Sequence, residues 1–407
     1  MVQGYFTRSM RALVLVSCLA APAFAQTGAS DNVVKIGVLN DMSGPYSDLG
    51  GKGSVVAARM AIEDFGSKVL GVPVELISAD HGNKPDVALG IAREWFDRQR
   101  VDTILDLFGS NVSLAVMDLA KAKNRVVFIN GAGTTRITND ACTANSVHAS
   151  WDGYSQSNGM ITAIVKQGGD SWFFLTVDNV GGHGVEKDAV AAATAAGAKV
   201  LGTVRYPLGT IDFSSFMLQA QASKAKMIGL ITSGADTVNA VKTANEFGLV
   251  KGGQTLVGLA TFISEVHSLG LNVAQGMLLN ESFYWDYDDQ TRQFAQRFFK
   301  LTQKMPTGVQ ASIYSNVMHY LKSVAAAGTD DATVVMRKMK ELPVVDFFAR
   351  NGKIRENGRM IFDNYLAEIK KPQDSKYPWD YYTIKAVIPA EQAFQPLSES
   401  TCPLVKR

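Results

Sequence analysis

Short apolar runs alternate with longer helical ones from residue 33 onward, and this rhythm limits the possible folds more than any other feature. Residues 33–39 (VVKIGVL), 72–78 (VPVELIS), 103–107 (TILDL) and 126–129 (VVFI) are brief, apolar and bounded by Gly, Asn or Asp, the signature of buried strands. Between them, residues 54–65, 86–98 and 113–123 carry apolar side chains at three- and four-residue spacing, which predicts helices. Repeated strand–helix–strand units imply a parallel sheet covered on both faces. A second series begins at 172–177 (WFFLTV) and continues through 199–204, 227–232 and 255–259, with helices starting at Val185, Phe213 and Thr237. The fold class is therefore α/β, with two doubly wound parallel-sheet lobes.

After Leu279 the rhythm changes. Residues 290–302, 312–327 and 332–342 read as amphipathic helices, and short strands follow near 359–362 and 366–370. These elements have no strand series of their own, so they complete the two lobes, the helices on the first and the tail on the second. Lobe 1 is expected to comprise 26–152 and 280–354, and lobe 2 to comprise 153–279 and 355–407. Several crossings, near 150, 280 and 355, make a multi-strand hinge with a cleft between the lobes.

The first 25 residues read as a signal peptide. Arg8 and Arg11 precede an apolar stretch at 12–21, and Ala23-Phe24-Ala25 offers small residues where a signal peptidase cuts, leaving Gln26 first. A membrane anchor would need about 20 apolar residues, and this run is roughly half that. Leu15-Val16-Ser17-Cys18 also resembles a lipoprotein box, the lesser alternative. Cleavage removes two of the 40 basic residues and none of the 38 acids, so the mature chain is neutral, which gives no footing for a nucleic-acid partner. No later apolar run reaches membrane-spanning length, so a soluble exported protein is expected, and the periplasm is the location implied by the resemblance given below. Cys18 departs with the signal, and Cys142 and Cys402 remain, an even number in a compartment where disulfides persist. A bridge between them is expected.

Motifs for chemistry are missing. No Gly-x-Ser-x-Gly run occurs, and Gly50-Gly51-Lys52-Gly53-Ser54 lacks both the first glycine and the Ser or Thr after Lys that a phosphate loop needs. Gly182-His183-Gly184 begins a dinucleotide-like pattern, but Lys187 stands where its third glycine belongs. The five histidines have no metal-ligand spacing, so neither a cofactor nor a metal is expected. What remains is a set of polar turns at the carboxyl ends of strands, where open α/β sheets bind ligands. They are Asp41 to Tyr46, with Ser43 and Tyr46; Phe108-Gly109-Ser110-Asn111; and Asn130 to Thr135, with Ala132 and Thr134. Backbone N–H groups at helix starts, with the hydroxyls of Ser110 and Thr134, suit a carboxylate. His183 lies in a glycine-rich turn at the edge of the cleft.

These residues resemble a known family. The run Ile36-Gly37-Val38-Leu39-Asn40-Asp41-Met42-Ser43-Gly44-Pro45-Tyr46, followed by 57–66 (AARMAIEDFG), looks like the start of the Leu/Ile/Val-binding type of periplasmic solute-binding protein. The likeness continues through Phe128-Ile129-Asn130, Asn145-Ser146-Val147-His148 and Glu186-Lys187-Asp188 to Pro378-Trp379-Asp380-Tyr381-Tyr382. It implies two lobes that close on a ligand without a reaction, acting as a monomer and delivering to membrane permease subunits of an ABC transporter. It places the ligand carboxylate on Ser110, Ala132 and Thr134. The resemblance also implies an aromatic where this chain has Gly181, so the pocket is expected to be enlarged there. An acid for a ligand ammonium would fall in Leu259-Ala260-Thr261-Phe262, which has none, so an aromatic or keto acid is expected. Tyr46, Trp151, Tyr154 and Phe262 are available to stack on it, though each equally suits a lobe core. Asp236 is the candidate to replace the missing acid, which would restore branched-chain amino acids, or amides, as ligands. A receptor for a signalling partner is a further alternative.

Overall fold

A computed structural model describes residues 28–406 and, before them, residues 1, 2 and 4. The expected signal segment, with Arg8, Arg11, Cys18 and the cleavage site, lies otherwise outside the described residues. Among the described residues no helix is long and apolar enough to cross a membrane.

The first sheet is built from β1 (Val34–Asn40), β2 (Lys68–Val69), β3 (Val72–Asp80), β4 (Thr103–Asp106), β5 (Val126–Gly131) and β6 (Ser146–Trp151), in the order β2-β3-β1-β4-β5-β6. All its pairings are parallel except the β2–β3 hairpin. Period-two alternation divides its side chains between two layers. Val34, Ile36 and Val38 pack with helix α1 (Gly51–Phe65), while Ile104, Val127 and Ile129 face α2 (Pro85–Asp97) and α3 (Ser110–Lys123). Each βα loop therefore ends at the same edge.

The second sheet takes β7 (Ser171–Val177), β8 (Lys199–Tyr206), β9 (Met227–Ile231), β10 (Thr255–Gly258) and β11 (Leu278–Glu281), all parallel. Its helices are α4 (Gly153–Lys166), α5 (Val180–Ala195), α6 (Ser214–Ala222), α7 (Ala235–Glu246), α8 (Ile263–Leu269) and α9 (Leu271–Ala274). The chain then returns to the first sheet as α10 (Asp289–Thr302), α11 (Gly308–Ala327) and α12 (Ala332–Glu341), with α11 packed along α1. Thr307 and Gln310 form a reciprocal capping box that starts α11 one turn before the apolar periodicity begins. A two-stranded ribbon, β12 (Lys353–Ile354) with β13 (Met360–Ile361), leads back to β14 (Asn364–Ile369) and β15 (Tyr382–Ile388), which add to β11 in antiparallel order.

The crossings are tied by a buried ion pair. Arg359 Nη1 donates to Asp152 Oδ2 at 3.1 Å, with both side chains buried, and Asp152 also caps α4 through the Ser155 N–H. After adding β14 and β15 to the second sheet, the tail returns to the first lobe, as the expected Cys142–Cys402 bridge requires. Ser400 Oγ donates to the Thr138 carbonyl at 2.8 Å, the Thr401 N–H donates to Asn139 Oδ1 at 2.9 Å, and Cys402 is bonded to Cys142, 260 residues away. The end of the chain is thus fastened to the segment before β6.

Candidate functional site

Between the lobes lies a cavity of about 140 Å³. Lobe 1 supplies Tyr46, Phe108, Ser110, Asn111 and Gly133; lobe 2 supplies Val177, Asn179, Gly181, Leu208 and Ser233; Trp151 stands at the crossing. Gly109, at φ +95°, turns the chain sharply from β4 into α3, so that Ser110 opens the helix and no side chain caps its first turn. The Thr134 N–H donates to Ser110 Oγ at 3.3 Å. Tyr46 stacks on Phe108 with ring centroids 5.0 Å apart, and burial pushes its phenol up to about 12, so it is neutral at physiological pH. Asn179 caps α5, accepting the Gly182 N–H at 2.8 Å, and its amide donates across the cleft to the Tyr46 hydroxyl at 3.4 Å. Elsewhere the lobes meet through glycines. A Cβ on Gly234 would lie 2.3 Å from the Pro45 carbonyl, and one on Gly184 would lie 2.9 Å from Thr134 Cα. None of the residues lining the cavity is Asp, Glu, Lys, Arg or His.

A family model of periplasmic binding proteins matches residues 33–376. The chain belongs to that family. A periplasmic binding protein from Burkholderia mallei is 48% identical, with a TM-score of 0.89, over 92% of this chain and 100% of that one. A branched-chain amino acid ABC transporter periplasmic ligand-binding protein from Burkholderia xenovorans LB400 is 43% identical, with a TM-score of 0.84, over 91% and 99%. A solute-binding protein of an ABC transporter from Rhodopseudomonas palustris BisB5, solved with 3,4-dihydroxybenzoic acid, shares the fold at 21% identity and a TM-score of 0.80, over 88% and 98%. The fold is that of the type I periplasmic binding proteins, as the resemblance implied.

In this binding protein the structure brings Tyr46, Ser110 and Asn111 to the cavity wall. Thr134 stands directly behind Ser110, and Ala132 lies between two lining glycines with its carbonyl 3.0 Å from His148 Nε2. Neither Thr134 nor Ala132 lines the cavity itself, and five further predicted residues lie away from it. Ser43 is exposed and bonded to Asp80. Tyr154, near the start of α4, points with the helix period to a separate hollow on the hinge side, between Asn139, Asp188 and Glu399. His183 is drawn outward by Asp178, 2.6 Å away. Asp236 is buried in lobe 2, where it accepts the Gly209 N–H at 3.1 Å, and it does not line the cavity. Phe262 is buried behind Trp151, with ring centroids 5.5 Å apart.

Gly181 also differs from expectation. The room left by its missing side chain is taken up by the approach of Ser110, whose Oγ would lie 3.0 Å from a Cβ there. Asn179 was missed, although it follows β7 as the other polar turns follow their strands. Asn83 was missed too. Its backbone sits at φ +55°, and its N–H donates to His81 Nδ1 at 3.0 Å.

That hydrogen bond needs a neutral ring, and burial pulls the His81 pKa down from 6.5 to about 4. The unfolded chain therefore takes up a proton first as pH falls, and stability that is full above about 6.5 drains away toward pH 4. Unfolding in urea should give a wild-type stability advantage over His81→Gln that shrinks by about 2 to 3 kcal/mol between pH 7 and pH 4.5. A constant difference between the two proteins would disprove this.

Proposed function

We propose that this protein is the solute-binding component of an ABC importer, and that it captures a small carboxylate lacking an ammonium group, such as an aromatic or branched 2-oxo acid, by closure of its lobes. The observation that carries this reading is the composition of the cavity wall: helix-start amides and hydroxyls that donate, aromatic faces, and no acidic side chain. An α-ammonium enclosed there without a carboxylate would cost several kcal/mol. The volume, about 140 Å³, is near that of a cavity that admits one benzene ring. No nucleophile with a neighbouring base lines the cavity, so the ligand leaves as it came. The protein acts as a monomer in the periplasm, and permease subunits receive the ligand.

A second reading, a branched-chain amino acid, is favoured by the likeness to the 43% identical branched-chain amino acid ABC transporter periplasmic ligand-binding protein of Burkholderia xenovorans. Thermal unfolding separates the two. Benzoate, 4-methyl-2-oxopentanoate, leucine and benzamide are each added to the purified protein. A ligand at about 100 times its Kd should stabilise the native state by about 2.7 kcal/mol. A shift with the ammonium-free acids and none with leucine is expected. A shift with leucine alone replaces the first reading by the second.

A further inference from the structure

Helix α5 turns one face toward lobe 1. Gly181, Gly184 and Asp188 follow one another along it at three- and four-residue spacing, and a Cβ on the first would meet Ser110, one on the second Thr134. Asp188 is thus the acid on a face otherwise made of small residues. It lines the hinge-side hollow of about 420 Å³, where Thr135 and Arg136 of lobe 1 stand on the other side. Its Oδ2 is buried without a hydrogen-bond partner, and a Cβ on Gly153, at the start of α4, would lie 2.5 Å from it. Among the described residues no cation pairs with Asp188. Arg136 holds Asp140 at 2.8 Å, Arg359 holds Asp152 at 3.1 Å, Arg355 holds Glu391, and Lys187 is exposed. The other titratable groups around it are Asp152 at the start of α4, Glu399 of the tail and the Tyr154 phenol, which burial keeps protonated.

We propose that Asp188 is a proton-operated catch between the lobes: closure places one proton on this carboxyl, and opening releases it. The inference rests on the lobe closure of the reading above and holds whichever ligand fills the cavity. Closing strips water from a carboxylate that gains no cation and keeps Asp152 beside it, so the charged form is disfavoured. Burial first, and then the charge of Asp152, push the carboxyl up from 3.8 to about 7 in this arrangement, and Thr135 and Lys187 offset only part of that. With the lobes apart, the cover from lobe 1 is gone and the group titrates near its ordinary value of about 4. The closed form therefore binds more protons than the open form between about pH 4 and about pH 7. It gains as pH falls through that window and loses as pH rises through it. The protein then holds its ligand more tightly in acid surroundings and gives it up more readily in neutral ones.

Two measurements test this, one with a ligand and one without. By calorimetric titration, benzoate affinity of the wild type should rise about tenfold from pH 7.5 to pH 5.5, a range in which benzoate itself stays ionised. Binding at pH 6, repeated in buffers of different ionisation enthalpy, should take up most of one proton. Asp188→Asn keeps the shape and removes the charge, so its affinity should match the acid wild type at both pH values, with no proton taken up. The second measurement locks the lobes together. A Cβ on Gly181 would lie 3.7 Å from Ser110 Cβ, within disulfide reach, so Ser110→Cys with Gly181→Cys staples the closed form. In carbon-13 spectra of aspartate-labelled protein, the Asp188 carboxyl is identified by its loss in D188N. It should titrate at about 7 in the stapled protein and at about 4 in the unliganded wild type. Equal midpoints in those two proteins, or a wild-type benzoate affinity as flat with pH as that of D188N, overturns the inference. If benzoate binds at neither pH, the carboxylate reading fails, and the stapled protein still decides whether closure protonates Asp188.

Discussion

Gly184→Ala is expected to raise the melting temperature of the unliganded protein and at the same time to weaken ligand binding by about 100-fold. Both effects come from one methyl group. Gly184 lies within α5, where alanine is favoured over glycine by about 1 kcal/mol. In the closed form the new Cβ would lie 2.9 Å from Thr134 Cα of the other lobe. The obstacle is backbone, which cannot swing aside as a flexible side chain does. Overpacking of this kind costs about 1 to 3 kcal/mol, and the upper part of that range is a factor of about 100 in affinity. The open form carries none of this cost. Gly90→Ala is the control, since Gly90 lies within α2 and a Cβ there meets nothing within 4 Å. It should gain the same stability and keep its affinity. Calorimetric titration and melting curves of both variants check the pair, and unchanged affinity in G184A would mean that the lobes do not meet at this point when they close.

Loss of the Cys142–Cys402 bridge should lower stability by about 4 kcal/mol. The bond closes a loop of 260 residues, and the chain-entropy gain on opening a loop of such length is near the top of the usual range. In Cys142→Ser with Cys402→Ser, thermal unfolding should begin on the order of 10 °C lower than in the oxidised wild type. Reduction of the wild type should match the double variant. Ligand affinity should change little, because neither cysteine lines the interlobe cavity. A melting temperature within 1 or 2 degrees of wild type would show that the tail's hydrogen bonds to Thr138 and Asn139 hold it unaided.

The strands of both sheets that are apolar on both faces were legible, because such a run admits few other readings. Ser146–Trp151 was not, since SVHASW is polar in composition and is buried only through its neighbours: His148 reaches the Ala132 carbonyl, and Arg359 approaches from the hinge. The edge strand Tyr382–Ile388 has half-exposed side chains and no clear alternation. At the site, the turns after β1, β4 and β5 were legible because strand ends in such sheets are where ligands go. The direction of individual side chains was not. Asp236 and His183 sit in suitable turns, yet local partners, the Gly209 N–H in one case and Asp178 in the other, outcompete the cleft for them. Gly181 reads as vacated space only while lobe 1 is ignored. Contacts between lobes depend on a rigid-body placement that no local pattern encodes.

The fastening of the tail has a topological side as well. Residues 142 to 402 form a covalent macrocycle that contains the whole second sheet, so a single cut in any of its outer loops, such as the exposed turn at Lys251, opens the ring without shedding a fragment. After such a cut, the two sulfur atoms keep the pieces of the second lobe on one covalent molecule, and reduction releases that link.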